Sequence, residues 1–351
     1  MLNPERKGNM STLTSSPDTL ILDTLPTPPA WPEYTWRPLR PEDVPALFNM
    51  LLAVGQADDR LIMGTAADMA IQFDDPWSDP ATCSLGAFTP EEQVAAMART
   101  FMNPDPETEA RCYLDVAAHP GHRGHGLEDF LLEWAETQGR KRLSAMPAHW
   151  PHRLMHDTQD TLTEHIARLE RRGFAPARYF YLMRRDLRQP IPDRPLPDGL
   201  TLRRFTPEMS RPLLAAFNES FRDHWNFEPV SAEDWEMFFL KRSSFRPDLT
   251  FLAIDGDEVA GFSYNTISPE ENARNALNEG WVAELGTRRP WRKRGVASAL
   301  LCATMRAFQA EGLDYTTLGV DTQNPSGALG LYEGLGFAPV KRFIMLAKAV
   351  L

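Results

Sequence analysis

Apolar positions fall into two rhythms along this chain. After Gly295, the residues Val296, Leu300, Leu301, Met305 and Phe308 recur at the spacing of one buried helix face. Val282 to Thr287 and Asp314 to Asp321 read instead as strands. Ahead of them, IDGDEVAGFSYNT from Ile254 places apolar runs on either side of an acidic turn, which predicts a hairpin. Asn324 and Pro325 suit an N-cap and first helical turn, and Gly336 suits a helix stop. From Thr201 onward the pattern predicts strand, helices, hairpin, strand, helix, strand, helix, strand. That is a mixed sheet with helices packed on it, an α/β (α+β) layer architecture.

The same pattern occurs earlier in the chain. Thr35-Trp36-Arg37-Pro38-Leu39-Arg40-Pro41-Glu42 parallels Thr201-Leu202-Arg203-Arg204-Phe205-Thr206-Pro207-Glu208. FTPEEQVAAMARTF from Phe88 parallels the Ile254 hairpin, and YLDVAAHPGHRGHGLEDFLL from Tyr113 parallels VAELGTRRPWRKRGVASALL from Val282. LERRGFAPARYFYLMRRDL from Leu169 parallels YEGLGFAPVKRFIMLAKAV from Tyr332. Four matches in one order identify a tandem duplication. Proline marks the joints. Residues 1–33, rich in Ser, Thr and Pro, read as a mobile arm, and Pro190, Pro192, Pro195 and Pro197 as a semi-rigid linker over 189–198. The domains expected are therefore 34–188 and 199–351.

Composition narrows the function classes. The formal net charge of −11 argues against a broad nucleic-acid-binding face. Cys83, Cys112 and Cys302 lie far apart, which excludes a disulfide framework and fits a reducing cytosol. No apolar run approaches a bilayer span, and the first residues lack the apolar core of a secretory signal. A cytoplasmic protein with no membrane or nucleic-acid partner is expected.

The sharpest chemical feature lies where the Val282 strand runs through Arg288, Arg289, Arg292, Lys293 and Arg294 into a helix that opens Gly295-Val296-Ala297-Ser298. Small residues admit a ligand close to the backbone, and the free N–H groups of a first helical turn attract an anion, a pyrophosphate above all. A solvated basic loop is the plainer reading of the same residues.

Here the sequence resembles the GNAT superfamily of acyl-CoA-dependent N-acyltransferases. The family's Arg-x-x-Gly-x-Gly/Ala signature falls on Arg292, Gly295 and Ala297, and its later signature on Asn324, Ala328, Leu331, Tyr332, Glu333, Gly336 and Phe337. The two-domain arrangement is similar to that of the mycothiol-synthase group. The resemblance implies acetyl-CoA held between two splayed strands, with Leu285, Gly286 and Thr287 pairing with the pantetheine arm. It implies backbone amides from Arg294 to Ala297 around the pyrophosphate, with Arg292, Lys293 and Ser298 beside them. It puts Asn324 and Ala328 near the pantetheine and Tyr332 at the thioester sulfur as general acid. Glu284, at a position often acidic in this family, is the first candidate general base and Glu279 the second; a structural carboxylate is the alternative for Glu284.

The first copy keeps Arg123, Gly126 and Asp115 but carries Glu128, Thr161 and Leu169 where the second has Ala297, Asn324 and Tyr332. A carboxylate in the first helical turn satisfies the amides itself and repels a pyrophosphate. That copy is expected to be structural or regulatory. Seven of the eight histidines lie in it, including His119, His122, His125 and the pair His152 and His156 at helical spacing; they are expected to be surface groups, with no metal. Phe217, Phe221, His224, Trp225, Phe227, Trp235, Phe238 and Phe239, mixed with Asp223, Glu228, Asp234 and Glu236, suit either a helix core or a wall for a cationic amine.

The reading is an N-acetyltransferase, monomer or homodimer, using acetyl-CoA and an amine of a small molecule or peptide, with the second domain active. A non-catalytic acyl-CoA-binding or partner-binding module on the duplicated fold is the alternative.

Overall fold

The computed structural model describes residues 24–73, 79–102, 106, 108–324 and 326–350. The first repeat runs β1 (Thr35–Arg37), α1 (Val44–Ala57), α2 (Ala66–Ile71), α3 (Pro80–Cys83), β2 (Ser84–Phe88), β3 (Val94–Met102), β4 (Ala110–Ala118), α4 (Leu127–Leu143), β5 (His152–Gln159), α5 (Thr163–Arg171) and β6 (Ala175–Asp186). The second runs β7 (Thr201–Arg204), α6 (Ser210–Phe221), α7 (Ala232–Trp235), β8 (Phe251–Asp255), β9 (Glu258–Thr266), α8 (Pro269–Asn275), β10 (Glu279–Thr287), α9 (Val296–Ala310), β11 (Tyr315–Asp321), α10 (Ala328–Gly334) and β12 (Ala338–Val350). The hairpins β2–β3 and β8–β9 stand where the paired motifs predict them, and the second repeat follows the expected order except that the short helix α8 intervenes between the hairpin and β10.

The two repeats do not build two separate sheets. All strands join a twelve-stranded sheet in the order β1-β2-β3-β4-β5-β12-β6-β11-β10-β9-β8-β7. Neighbours are antiparallel except β4–β5 and β10–β11. The last strand of each repeat has crossed to the other: β12 pairs with β5 from Phe343↔Gln159 to Val350↔His152, and β6 pairs with β11 from Tyr315↔Asp186 to Asp321↔Phe180. Between them β6 and β12 pair with each other.

Packing follows the exchange. Ile344 and Leu346 of β12 are buried in the first repeat's core with Leu131, Trp134, Leu154 and Leu169. Met183 of β6 and the adjacent Leu187 are buried in the second repeat's core with Val282, Met305, Phe308 and Phe337. Each core is therefore finished by side chains from the other repeat.

The joints are also less free than the composition implies. Of the arm expected over 1–33, residues 1–23 lie outside the described residues, while Leu25 and Trp31 pack against the first core. The stretch over 189–198 lies along the second repeat. Ile191 and Leu196 pack on its core clusters, and Arg306 donates to the Pro192 carbonyl at 2.9 Å.

Candidate active site

The site begins with a break in the sheet. β10 pairs with β11 over Glu279–Val282 against Tyr315–Leu318, and beyond that the two strands part. On its other side β10 slips register against β9, so that Val282 faces Asn265 while Glu284 faces Tyr264. Such a bulge bends its strand and re-aims the residues after it. The corresponding strand β4 pairs with β3 from Ala96↔Ala118 to Met102↔Cys112 without a shift. Beyond Val282, the β10 edge facing the cleft offers main-chain groups to an extended chain.

The turn leading into α9 has the same backbone in both repeats, with different residues. Gly124 (φ +81°) and Gly126 (φ +84°) hold left-handed conformations in the first; Lys293 (φ +60°) and Gly295 (φ +91°) hold them in the second. A non-glycine there costs about 1–3 kcal/mol, a strain that recurs at ligand sites. No side chain caps α9 at Gly295. A Cβ on Gly295 would meet open space, whereas one on Gly126 would touch Trp31 at 3.7 Å.

Three of the five cations expected to supply positive charge are already committed. Arg288 pairs with Glu219 (2.6 Å) and Glu258 (2.7 Å), and Arg289 with Asp223. Arg292 lines the cavity, but its guanidinium binds Asp223 (3.0 Å) and donates to the Thr287 and Ser220 carbonyls. Arg123 is spent in the same way, on Asp58 and the Ala118 carbonyl. Arg292 therefore ties the turn to the end of α6 and is not a free phosphate ligand. Among the described residues Lys293 and Arg294 carry no ion pair and remain available.

Strands, turn and helix enclose a cavity of about 660 Å³. Its lining includes Leu285, Gly286, Thr287, Arg292, Lys293, Gly295, Val296, Ala297, Ser298, Asn324, Ala328 and Tyr332. Of the residues expected at the site, Arg294 and Glu284 fall outside that lining. Ser220, Asp223, His224, Trp291, Ser326, Gly327 and Leu331 join it. Asp223 and His224 had pointed to the acceptor side; their loop follows α6 and faces the same cavity. Ser326 and Gly327 escape the sequence pattern, in which Asn324 and Pro325 suit a helix start. Instead Asn324 Oδ1 accepts from the Ser326 N–H, and α10 starts at Ala328 with Gly327 (φ +76°) as its N-cap. Thr287 Oγ1 and Ser220 Oγ are buried at this cavity with no partner. Unpaired hydroxyls, an uncapped helix and an open strand edge fit a polar chain ending in a diphosphate.

Glu284 sits one residue past the bulge. Burial raises its carboxyl to about 8, against a smaller opposing pull from Arg242. Such an acid binds its proton more tightly folded than unfolded. Its contribution to stability is present below about 4.5 and lost as pH rises towards 8. Tyr332 is 8% exposed; burial, then the charge of Glu284, push its hydroxyl above the usual phenol range. The second candidate base is fully engaged. Glu279 accepts from Arg184 (2.8 Å), Thr317 (2.7 Å) and Trp281 (3.0 Å), so it is a structural carboxylate.

The first repeat's counterpart keeps an acid, Asp115, where the second has Glu284, but differs at the positions of Ala297 and Tyr332. Glu128 occupies the first turn of α4 and pairs with Arg168 at 3.9 Å, and Leu169 is fully buried in the core. His125 and His149 are exposed as expected, but His156 departs from the surface role and is buried. His152 and His156 lie on β5, not on a helix, and His156 Nε2 meets His165 Nε2 at 2.9 Å. Burial holds His156 at about 4 and His165 at about 3. Among the described residues no three metal-ligating side chains converge. Most aromatics of the 217–239 region form core: Phe217 and Trp235 are buried, with Phe221 and Phe239 packed on them. Phe238 instead lines a second cavity, of about 520 Å³, with Tyr113, Asp115 and Asp157.

Residues 211–337 match the Acetyltransferase (GNAT) family. The chain is 29% identical over 271 residues to the mycothiol acetyltransferase of Paenarthrobacter aurescens, covering 74% of this chain and 73% of that one. It is 32% identical over 239 residues to that of Acidothermus cellulolyticus, covering 64% and 67%. The crystal structure of a GCN5-related N-acetyltransferase from Sphaerobacter thermophilus superimposes with a TM-score of 0.69 at 26% identity, over 93% of this chain and 97% of that one.

Proposed function

This chain belongs to the GNAT family of acetyltransferases and is an acyltransferase, and from that premise we propose that its second repeat moves an acetyl group from acetyl-CoA to an amine of a small molecule or peptide. The observation that carries the reading is the cavity in which an uncapped helix N-terminus, a splayed strand edge and Tyr332 face one another. The first repeat carries Glu128, Thr161 and Leu169 where the second has Ala297, Asn324 and Tyr332, so we assign it support rather than catalysis.

In this reading the Val296, Ala297 and Ser298 N–H groups bind the diphosphate with Lys293 beside them. The open edge of β10 from Leu285 to Thr287 pairs with the pantetheine, near Asn324 and Ala328. Glu284, through water, takes the proton from the attacking amine, and Tyr332 returns one to the departing thiolate. A phenol with a raised pKa keeps its proton until the sulfur needs it. The relatives' name makes the free-amine form of mycothiol the first acceptor to try. An acyl-CoA-binding module without catalysis is the reading that failure of every amine would favour.

Tyr332→Phe tests the catalytic assignment. Removing a general acid costs on the order of a hundredfold in rate, while acetyl-CoA affinity should hold, since the ring still fills its place. Turnover at the parent rate would remove Tyr332 from the mechanism.

The base has its own signature. Glu284 acts ionised, so kcat/KM should climb about tenfold per pH unit below its pKa of about 8 and level off above it. Glu284→Gln should flatten that limb in a pH–rate profile. A Gln variant with the parent's profile would assign the limb to the acceptor amine instead.

A further inference from the structure

One wall of the cavity is held in place by the other repeat. The exchanged strand β6 carries Arg178, whose Nε donates to both Asp321 oxygens at 3.0 Å and whose Nη2 lies 2.8 Å from Oδ2. Its Nη1 donates to Gln323 Oε1 at 3.0 Å. Asp321 ends β11, and Asp321 Oδ1 also accepts the Gln323 N–H, so these bonds set the start of the loop that carries Asn324, Ser326 and Gly327 into the cavity. The same guanidinium lies 5.5 Å from the ring centre of Trp225, which Phe180 of β6 also approaches. Trp225 follows His224 on the facing wall, and His224 Nε2 comes within 3.4 Å of Asn324 Nδ2.

Arg178 thus contacts the segments that carry both walls, through Asp321 and Gln323 just ahead of Asn324 and through Trp225 just after His224. Its counterpart in the other repeat, Lys341, reaches Asp59, but that carboxylate is 98% exposed, whereas the side chains of Arg178 and Asp321 are 16% and 12% exposed. Exposed pairs contribute little; a mostly buried, two-oxygen Arg–carboxylate pair fixes geometry. The stronger clamp serves the repeat that keeps Tyr332.

We propose that Arg178 of the first repeat is a positioning residue for acyl-CoA in the second repeat's cavity, setting the spacing between Asn324 and the His224–Trp225 loop. This rests on the reading of that cavity as the acyl-CoA cleft. The first repeat then has a defined task in catalysis although its own chemical positions are lost.

The test is calorimetric titration of the full chain with acetyl-CoA, alongside kinetics. Arg178→Gln should weaken acetyl-CoA binding and raise its KM by about tenfold, with kcat at saturation changed far less, because the wall's contacts with the cosubstrate are made alike in the bound and transition states. Arg178→Lys, which keeps the charge but not the fork, should recover part of the loss. Asp321→Asn removes the same pair without touching β6, and should reproduce the Gln variant if that one folds poorly. Variants that melt earlier yet bind acetyl-CoA with the parent affinity would overturn the proposal and leave Arg178 a structural residue. A parent chain that binds no acetyl-CoA would instead defeat the reading of the cleft itself.

Discussion

A chain that begins at Pro197 will fail to accumulate as soluble, active protein. Such a chain keeps every residue of the second repeat's motif but loses β6, which pairs with β11 on one side and β12 on the other. It leaves Ile344 and Leu346 without the core they fill, and takes Met183 and Leu187 out of the core that remains. Burying four side chains of this size is worth about 6–12 kcal/mol, the scale of a whole domain's stability. The bared edges of β11 and β12 would add a template for aggregation. Expression with a solubility assay reads the outcome, and co-expression of the two halves as separate chains should restore it. A well-folded, fully active second repeat on its own would show the exchanged strands to be dispensable.

Ala297→Glu will abolish acetyl-CoA binding. The substitution places at the second position of α9 the carboxylate that α4 carries as Glu128. The charge would compete for the first-turn N–H groups and face a diphosphate of the same sign. Two unit charges 4 Å apart near a protein surface repel by about 4 kcal/mol, close to a thousandfold in affinity. Ala297→Gln, similar in size and uncharged, should keep most of the binding and separates repulsion from bulk. Calorimetry of the parent should give one site per chain. Two equivalent sites, or a Glu variant that binds as the parent does, would refute the assignment of the diphosphate to α9.

Much of the candidate site was legible because it depends on local pattern. A glycine that opens a helix, small residues after it and a strand before it are adjacent in sequence, so Gly295, Val296, Ala297 and Thr287 could be found together. What escaped depends on partners distant in sequence. Five basic residues read alike, yet Arg288, Arg289 and Arg292 are committed to Glu219 and Asp223 of the α6 region, roughly 70 residues earlier. Asn324 has the residue type of a helix cap and turns out to cap its own loop. His156 looked like a surface group because burial of β5 depends on β12, nearly 200 residues away. The exchange itself was hidden by the similarity that revealed the duplication. RGFAPARYFYLMRRD and LGFAPVKRFIMLAKA have the same strand pattern, and neither pattern says which neighbour it will take.

The exchanged strands also set an order of events during synthesis. β5 is complete at Gln159, but the strand that covers its free side, β12, starts at Ala338, roughly 180 residues later. At about 5–20 residues per second, the ribosome leaves that edge bare for about ten to forty seconds. The first repeat therefore cannot reach its final packing while it emerges, although it is made first. Its core residues Ile344 and Leu346 are added only after the second repeat has been made as far as β12. A nascent chain stalled before Ala338 should remain sensitive to protease within β5, and release of the last strand should close both repeats in a single step.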